Sequence, residues 1–306
     1  MSPLRPLHKI IRMRFEHLAI IGVGMIGGSF AASVRRSGLA TRITGWDGGR
    51  GLEKALLSGA IEAVENSFEA GLVCDADLIY LAAPIGAIVD FLNNYGSLIK
   101  PGAIVTDAGS TKQDICEAAR NGLPAGVAFV GGHPMAGSQN SGLDFANPDI
   151  FHGAPYALIA ADDAAAQDEA FKTVVEIVNA IGARPFVLTA EQHDRAVARV
   201  SHVPQLVSTA LSAAIMKTRG RDQMLSLAGP GLSDMTRLAE SNWSIWEDIC
   251  RSNSEEIAEA LSDVVRELEI TRLRVDSGDF RALGEAFKSA GDLAAKIRQS
   301  KSNGGF

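Results

Sequence analysis

The chain has 306 residues, 46% of them hydrophobic and 21% charged, with a net charge of −7. This is enough chain for two ordinary domains that need no disulfide or metal staple, and the acidic balance argues against nucleic acid or an anionic membrane as the main partner. No apolar run reaches the length of a bilayer span, and three scattered cysteines, Cys74, Cys116 and Cys250, argue against a zinc site and fit a reducing cytoplasm.

The N-terminal MSPLRPLHKIIRMRFEH is basic and lacks the apolar core of a secretion signal. Residues 1–14 are therefore read as a flexible extension, with a transit peptide as the alternative and Met13 as an alternative start. HLAIIGVGMIGGSFAASVRRSG (17–38) passes from an apolar strand through a glycine turn into a helix. TRITGWD (41–47) is a second strand, followed by a short helix and IEAVE (61–65). DLIYLAAP (77–84) is apolar almost throughout, as expected of a parallel strand buried on both faces. A helical stretch near 85–99, a strand AIVTDAGS (103–110), a helix from Lys112 and a strand VAFVGG (127–132) follow. APYALIAA (154–161) and RPFVLT (184–189) complete the strands. Such alternation predicts an α/β fold, a Rossmann-type doubly wound parallel sheet over residues 15–189. Residues 190–306 read as an all-helical C-terminal domain, to which the resemblance given below assigns substrate binding and dimerisation. There Leu206, Ala210, Leu211 and Ala214 share a helical face.

GVGMIG (22–27) fits G-x-G-x-x-G, and its context between strand and helix gives the match its weight. Gly22 permits a tight turn, Gly24 lets backbone N–H groups approach a pyrophosphate, and Gly27 lets the helix lie close to the sheet. Met25 and Ile26 open that helix and are read with the glycines as cofactor-binding. Asp47, twenty residues after Gly27, suits a ribose diol and repels a 2′-phosphate, so NAD is favoured over NADP. Arg50 pulls the other way, since it is able to pair with a phosphate.

GGHPMAGSQNSG (131–142) has neither helical period nor strand alternation and is read as a glycine-rich loop. Ligands of such sheets bind beyond the carboxyl ends of the strands. His133 and Ser110 both follow strands and are therefore expected at that rim, with Asp107 and Gly109 shaping it. His193 and His202 are nine residues apart, the wrong spacing for a shared metal on one helix, and no metal site is expected.

GVGMIGGS, DAGSTK (107–112), GGHPMAGS (131–138), HDRAVARVSHVPQ (193–205) and GPGLSDMTRLAESNWSIW (229–246) together resemble the prephenate/arogenate dehydrogenases of tyrosine biosynthesis. The resemblance implies an oxidative decarboxylation in which a cyclohexadienol gives hydride to NAD+, loses CO2 and becomes aromatic. It makes His133 the base at the ring hydroxyl and Ser110 its hydrogen-bonding companion, both catalytic. Arg237 would grip the side-chain carboxylate, His202 would orient the substrate, and Ser138 and Trp246 would line the pocket. Many prephenate-using members read SH-x-P-H, whereas this chain carries Gln205 at the final position. That neutral amide leaves prephenate and arogenate both open. The resemblance also implies a homodimer through the helical domain.

Plainer roles stand beside these: loop bracing for His133, a turn or cap for Ser110, a surface ion pair for Arg237, core packing for His202 and the tryptophans, and a capping pair for Asn253 with Glu256. Two other functions fit the layout: a β-hydroxyacid-type dehydrogenase, which leans on a catalytic lysine, and a non-enzymatic NAD sensor, which would not need Ser110, His133 and Arg237 together.

Overall fold

The computed structural model describes residues 14–47, 61, 63–65, 71–137 and 142–302. They form two compact units, one from the described residues up to Gly109 with Ile115–Val187, the other from Ser110–Asp114 with the residues from Leu188 onward. Ser110–Asp114, inside the stretch read from sequence as the first domain, thus groups with the second.

The first unit is built on an eight-stranded sheet in the order β3-β2-β1-β4-β5-β6-β7-β8. Its strands are β1 (Phe15–Ile21), β2 (Ala40–Trp46), β3 (Ala63–Glu65), β4 (Leu78–Leu81), β5 (Ile104–Asp107), β6 (Ala128–Pro134), β7 (Pro155–Ile159) and β8 (Arg184–Leu188). The pairs from β3 through β6 are parallel. The central strands are apolar because helices cover both faces: all four residues of β4 are fully buried. Helix α1 (Met25–Arg36) lays Phe30, Ala31 and Val34 on the sheet, and the Phe30 ring stacks on Tyr80 at 3.7 Å between centroids. Burying a side chain such as Phe30 or Val34 contributes on the order of 1.5–3 kcal/mol. The short helix expected after Asp47 lies outside the described residues.

The sheet departs from the all-parallel expectation at β6–β7, which are antiparallel. Between them runs a connection with a single 3-10 turn, Leu143–Phe145, among its described residues and no crossover helix. A parallel return needs such a crossover; an antiparallel one does not.

Registers bring Ile21, Trp46, Leu81 and Asp107 into line at the carboxyl edge. The strand order reverses between β1 and β4, so a crevice opens above that point.

The second unit is helical. Helix α2 (Ala190–Val197) starts at a capping box in which the Thr189 side chain accepts from Gln192 N and the Gln192 side chain accepts from Thr189 N. A π-helical turn, Ala198–His202, leads into α3 (Val203–Met216), with the Val203 N–H bonded to Ala198 O. Pro204, at the start of α3, has no N–H to continue the regular ladder, which accounts for the widened turn. Helices α4 (Pro230–Thr236), α5 (Trp243–Ser252), α6 (Ser254–Ser277) and α7 (Phe280–Ser302) follow. The buried side chains of α3 are Val203, Gln205 and Ser208. The expected apolar face of Leu206, Ala210, Leu211 and Ala214 is half-buried or exposed among the described residues.

Candidate active site

The glycine turn is enforced by sterics. Gly22 has φ +95°, and a Cβ there would lie 2.5 Å from Ala82 O. Its N–H donates to Trp46 O at 2.8 Å, so the turn is wedged where β1, β2 and β4 end. A Cβ on Gly27 would lie 2.0 Å from Gly22 O. Gly24 differs: no atom lies within 4 Å of its would-be Cβ. The first turn of α1 carries no acidic residue and Gly24 provides no side-chain cap, so the positive end of the helix is left for a ligand. Met25, Ile26 and Asp47 are all half-buried around this turn, with Asp47 directly after β2. Residues Gly22, Gly24, Met25, Ile26, Gly27 and Asp47 therefore fit the pyrophosphate and ribose of a dinucleotide. Arg50 lies outside the described residues.

The strand expected over 127–132 runs on through Pro134, so His133 lies in a strand and not in the loop, which among the described residues begins at Met135. The last register pair of β5 and β6 is Thr106 with Val130, after which Gly131–Pro134 pair with β7 alone, His133 opposite Ala157. Strand β6 overhangs its parallel neighbour, carrying His133 three residues past Val130, about 10 Å at strand spacing. The antiparallel partner satisfies the backbone there, and Pro134 falls where the strand ends.

One residue that sequence reasoning assigned only to the rim takes a definite role. Asp107 is fully buried, and its carboxylate accepts from Gly109 N at 2.8 Å and from Gly132 N at 2.9 Å. These are the residues immediately before Ser110 and His133. An Asp two residues before a glycine at a strand end is the sequence signal of an Asx turn, which accounts for the first bond; the second joins residues far apart in the chain. Gly132 is required sterically, since a Cβ would lie 2.6 Å from Asp107 O and 3.0 Å from Tyr156 Cε1. Beneath, the Tyr80 and Tyr156 hydroxyls are 3.2 Å apart. Burial first, and then the Asp107 charge, pushes the Tyr156 phenol well above its ordinary range.

In the second unit, half-buried Ser110 opens the segment Ser110–Asp114. Asp194 accepts from Lys112 N at 2.8 Å and Gln113 N at 2.9 Å, and its Oδ1 lies 2.7 Å from His193 Nδ1. His202 is buried, in edge contact with Trp246 at 5.9 Å between ring centroids. Burial lowers its pKa to about 4, helped by His193 and opposed by Asp194. Gln205 is buried; its Nε2 donates to Leu238 O at 2.6 Å and its Oε1 accepts from Ser241 Oγ at 3.2 Å. It thereby tethers the 3-10 turn Arg237–Glu240, on which Arg237 is exposed. The expected Asn253–Glu256 capping pair is not formed: Asn253 makes no side-chain cap bond, and Glu256 instead pairs with Arg195 and Arg199. Ser138 lies outside the described residues. Among those described, no cluster of three potential metal ligands occurs, and no helix is long and apolar enough to cross a membrane.

Comparison with known proteins places this geometry in context. Residues 30–187 match the model of the prephenate dehydrogenase nucleotide-binding domain, and residues 189–289 that of the prephenate dehydrogenase dimerization domain. Prephenate dehydrogenase of Lactococcus lactis is 31% identical over 293 residues, 93% of this chain and 77% of that protein. Among solved structures, prephenate dehydrogenase of Aquifex aeolicus in complex with hydroxyphenyl propionate and NAD+ superposes with a TM-score of 0.86 at 27% identity, covering 94% of this chain and 99% of the other. Arogenate dehydrogenase of Synechocystis gives 0.80 at 27%, covering 92% and 99%. With both of its domains matched and these likenesses spanning most of its length, the chain belongs to the prephenate dehydrogenase family.

Proposed function

We propose that this chain catalyses the NAD-dependent oxidative decarboxylation of prephenate, arogenate or both. The observation that carries the reading is the overhang of β6, which holds His133 beyond the carboxyl edge of a sheet whose switch-point turn fits a dinucleotide. The relative solved with NAD+ supports that cofactor, and the carboxylate of Asp47 favours it over NADP. The bound dinucleotide supplies a hydride acceptor.

His133 takes the proton from the ring hydroxyl as hydride leaves the carbon that bears it. Loss of CO2 then makes the ring aromatic. Ser110 donates a hydrogen bond that orients the hydroxyl. Arg237 offers a planar fork to the side-chain carboxylate. His202 and Trp246 form one wall for the substrate. Gln205 acts by holding the Arg237 turn and offers no charge, in keeping with a substrate that carries an ammonium group as well as with prephenate.

The chain acts as a homodimer through its helical unit. The matched dimerization domain supports this, as do long helices that leave Val265, Leu268, Phe287 and Leu293 exposed. The β-hydroxyacid-dehydrogenase alternative has no comparable support, because the family match runs through both domains. Purified protein mixed with NAD+ and either prephenate or arogenate is expected to produce NADH absorbance. No signal with either substrate removes the reading.

A further inference from the structure

Asn253 stands at the N-cap of α6, where an asparagine side chain ordinarily turns back to accept from the helix N–H groups. It does not do so. The side chain is buried, with Nδ2 2.9 Å from Asp194 O and 3.3 Å from His202 Nδ1. Oδ1 is buried as well and has no hydrogen-bond partner among the described residues. The side chain thus forgoes a cap and leaves a carbonyl unsatisfied, an arrangement that destabilises the fold. Stability alone does not explain it.

The bonding pattern fixes the chemistry of the imidazole. A backbone carbonyl only accepts, so the amide face turned to Asp194 O must be the nitrogen. That nitrogen has two hydrogens and nothing to accept with. Its second hydrogen faces His202 Nδ1, which must therefore be the unprotonated ring nitrogen. The proton of the neutral ring then sits on Nε2. The edge contact with Trp246 limits rotation of the ring about this bond.

We propose that Asn253 is a positioning residue that locks His202 in its Nε2–H tautomer, so that the ring presents a hydrogen-bond donor, and no lone pair, to an oxygen of the substrate. The assignment rests on the reading of His202 as a substrate-orienting residue. It predicts that a substrate oxygen, carboxylate or carbonyl, lies at His202, and that the ring contributes direction and not charge.

The tautomer is read directly from long-range proton–nitrogen correlation spectra of the full chain with isotope-labelled imidazole nitrogens, His202 being identified by the signal lost in His202→Gln. Protonated Nε2 with bare Nδ1 is the expected result; the reverse tautomer, or a doubly protonated ring, at neutral pH overturns the proposal. Turnover supplies the second readout. Asn253→Ala should raise the substrate KM about tenfold, the worth of one directed hydrogen bond, with the KM for NAD+ unchanged. In a His202→Ala background the same substitution should change little. Equal effects in both backgrounds would mean that Asn253 acts only structurally. Because the spectrum needs no turnover, a protein inactive on both substrates sinks the proposed function without deciding the tautomer.

Discussion

Two buried side chains at the candidate site act through fixed hydrogen bonds. Asp107 is a buried carboxylate spent on two backbone N–H groups, those of Gly109 and Gly132. In Asp107→Asn one of those N–H groups would face an NH2, leaving a donor unpaired at a cost of about 1–3 kcal/mol. The expected result is a lower denaturation midpoint and turnover reduced more than dinucleotide affinity; equal midpoints and equal kcat would contradict the positioning role. His202 makes a pH-dependent contribution of definite sign. The unfolded ring takes its proton near 6.5 and the folded ring near 4, so the unfolded chain binds more protons between those values. Stability from this group is fully present above 6.5 and is lost as pH falls through the folded value, by about 3 kcal/mol in all. Chemical denaturation at about pH 7 and about pH 4.5 should show the drop, and His202→Gln should flatten it; an unchanged slope in that variant would contradict the assignment. The sequence marks both residues as chemistry-bearing, but their partners, Gly132 and Asn253, are separated from them by many residues, and nothing in local pattern discloses such a pairing.

At the scale of elements, the parts read best from sequence are those whose burial leaves a periodic trace. The apolar runs of β1 and β4 and the glycine turn before α1 mark their own positions, because strands covered on both faces and a turn with positive φ admit few residue types. Gly22→Ala should therefore cost about 2–4 kcal/mol through strain at φ +95° and collision with Ala82 O. Urea denaturation checks this, and an unshifted midpoint would show that the turn relaxes freely. Less legible were the elements decided by a distant partner. The strand expected to end at Gly132 continues through His133 and Pro134, because β7 runs antiparallel beside them. The π-helical turn before α3 follows from Pro204, but a proline at that position is equally compatible with an ordinary helix start.

At the scale of the molecule, the α/β-then-helical order was legible from the change in residue pattern near residue 189. The grouping of Ser110–Asp114 with the helical unit was not, since it rests on Asp194 reaching back to Lys112 and Gln113. The apolar face of α3 was visible as a pattern, and its residues stay half-buried or exposed. The proposed homodimer predicts that Leu268→Glu combined with Phe287→Glu, on two exposed positions of α6 and α7, shifts the solution mass from dimer to monomer and lowers the thermal midpoint. A variant of unchanged mass would remove this face from the interface.

The central claim is that the imidazole at the overhanging end of β6 accepts the proton that accompanies oxidation of the ring. Steady-state turnover of His133→Asn beside the wild type, with NAD+ affinity measured in parallel, tests it most directly. Loss of about 10²–10⁴ in kcat at unchanged dinucleotide affinity is the predicted result; a variant that keeps most of the wild-type turnover would contradict it.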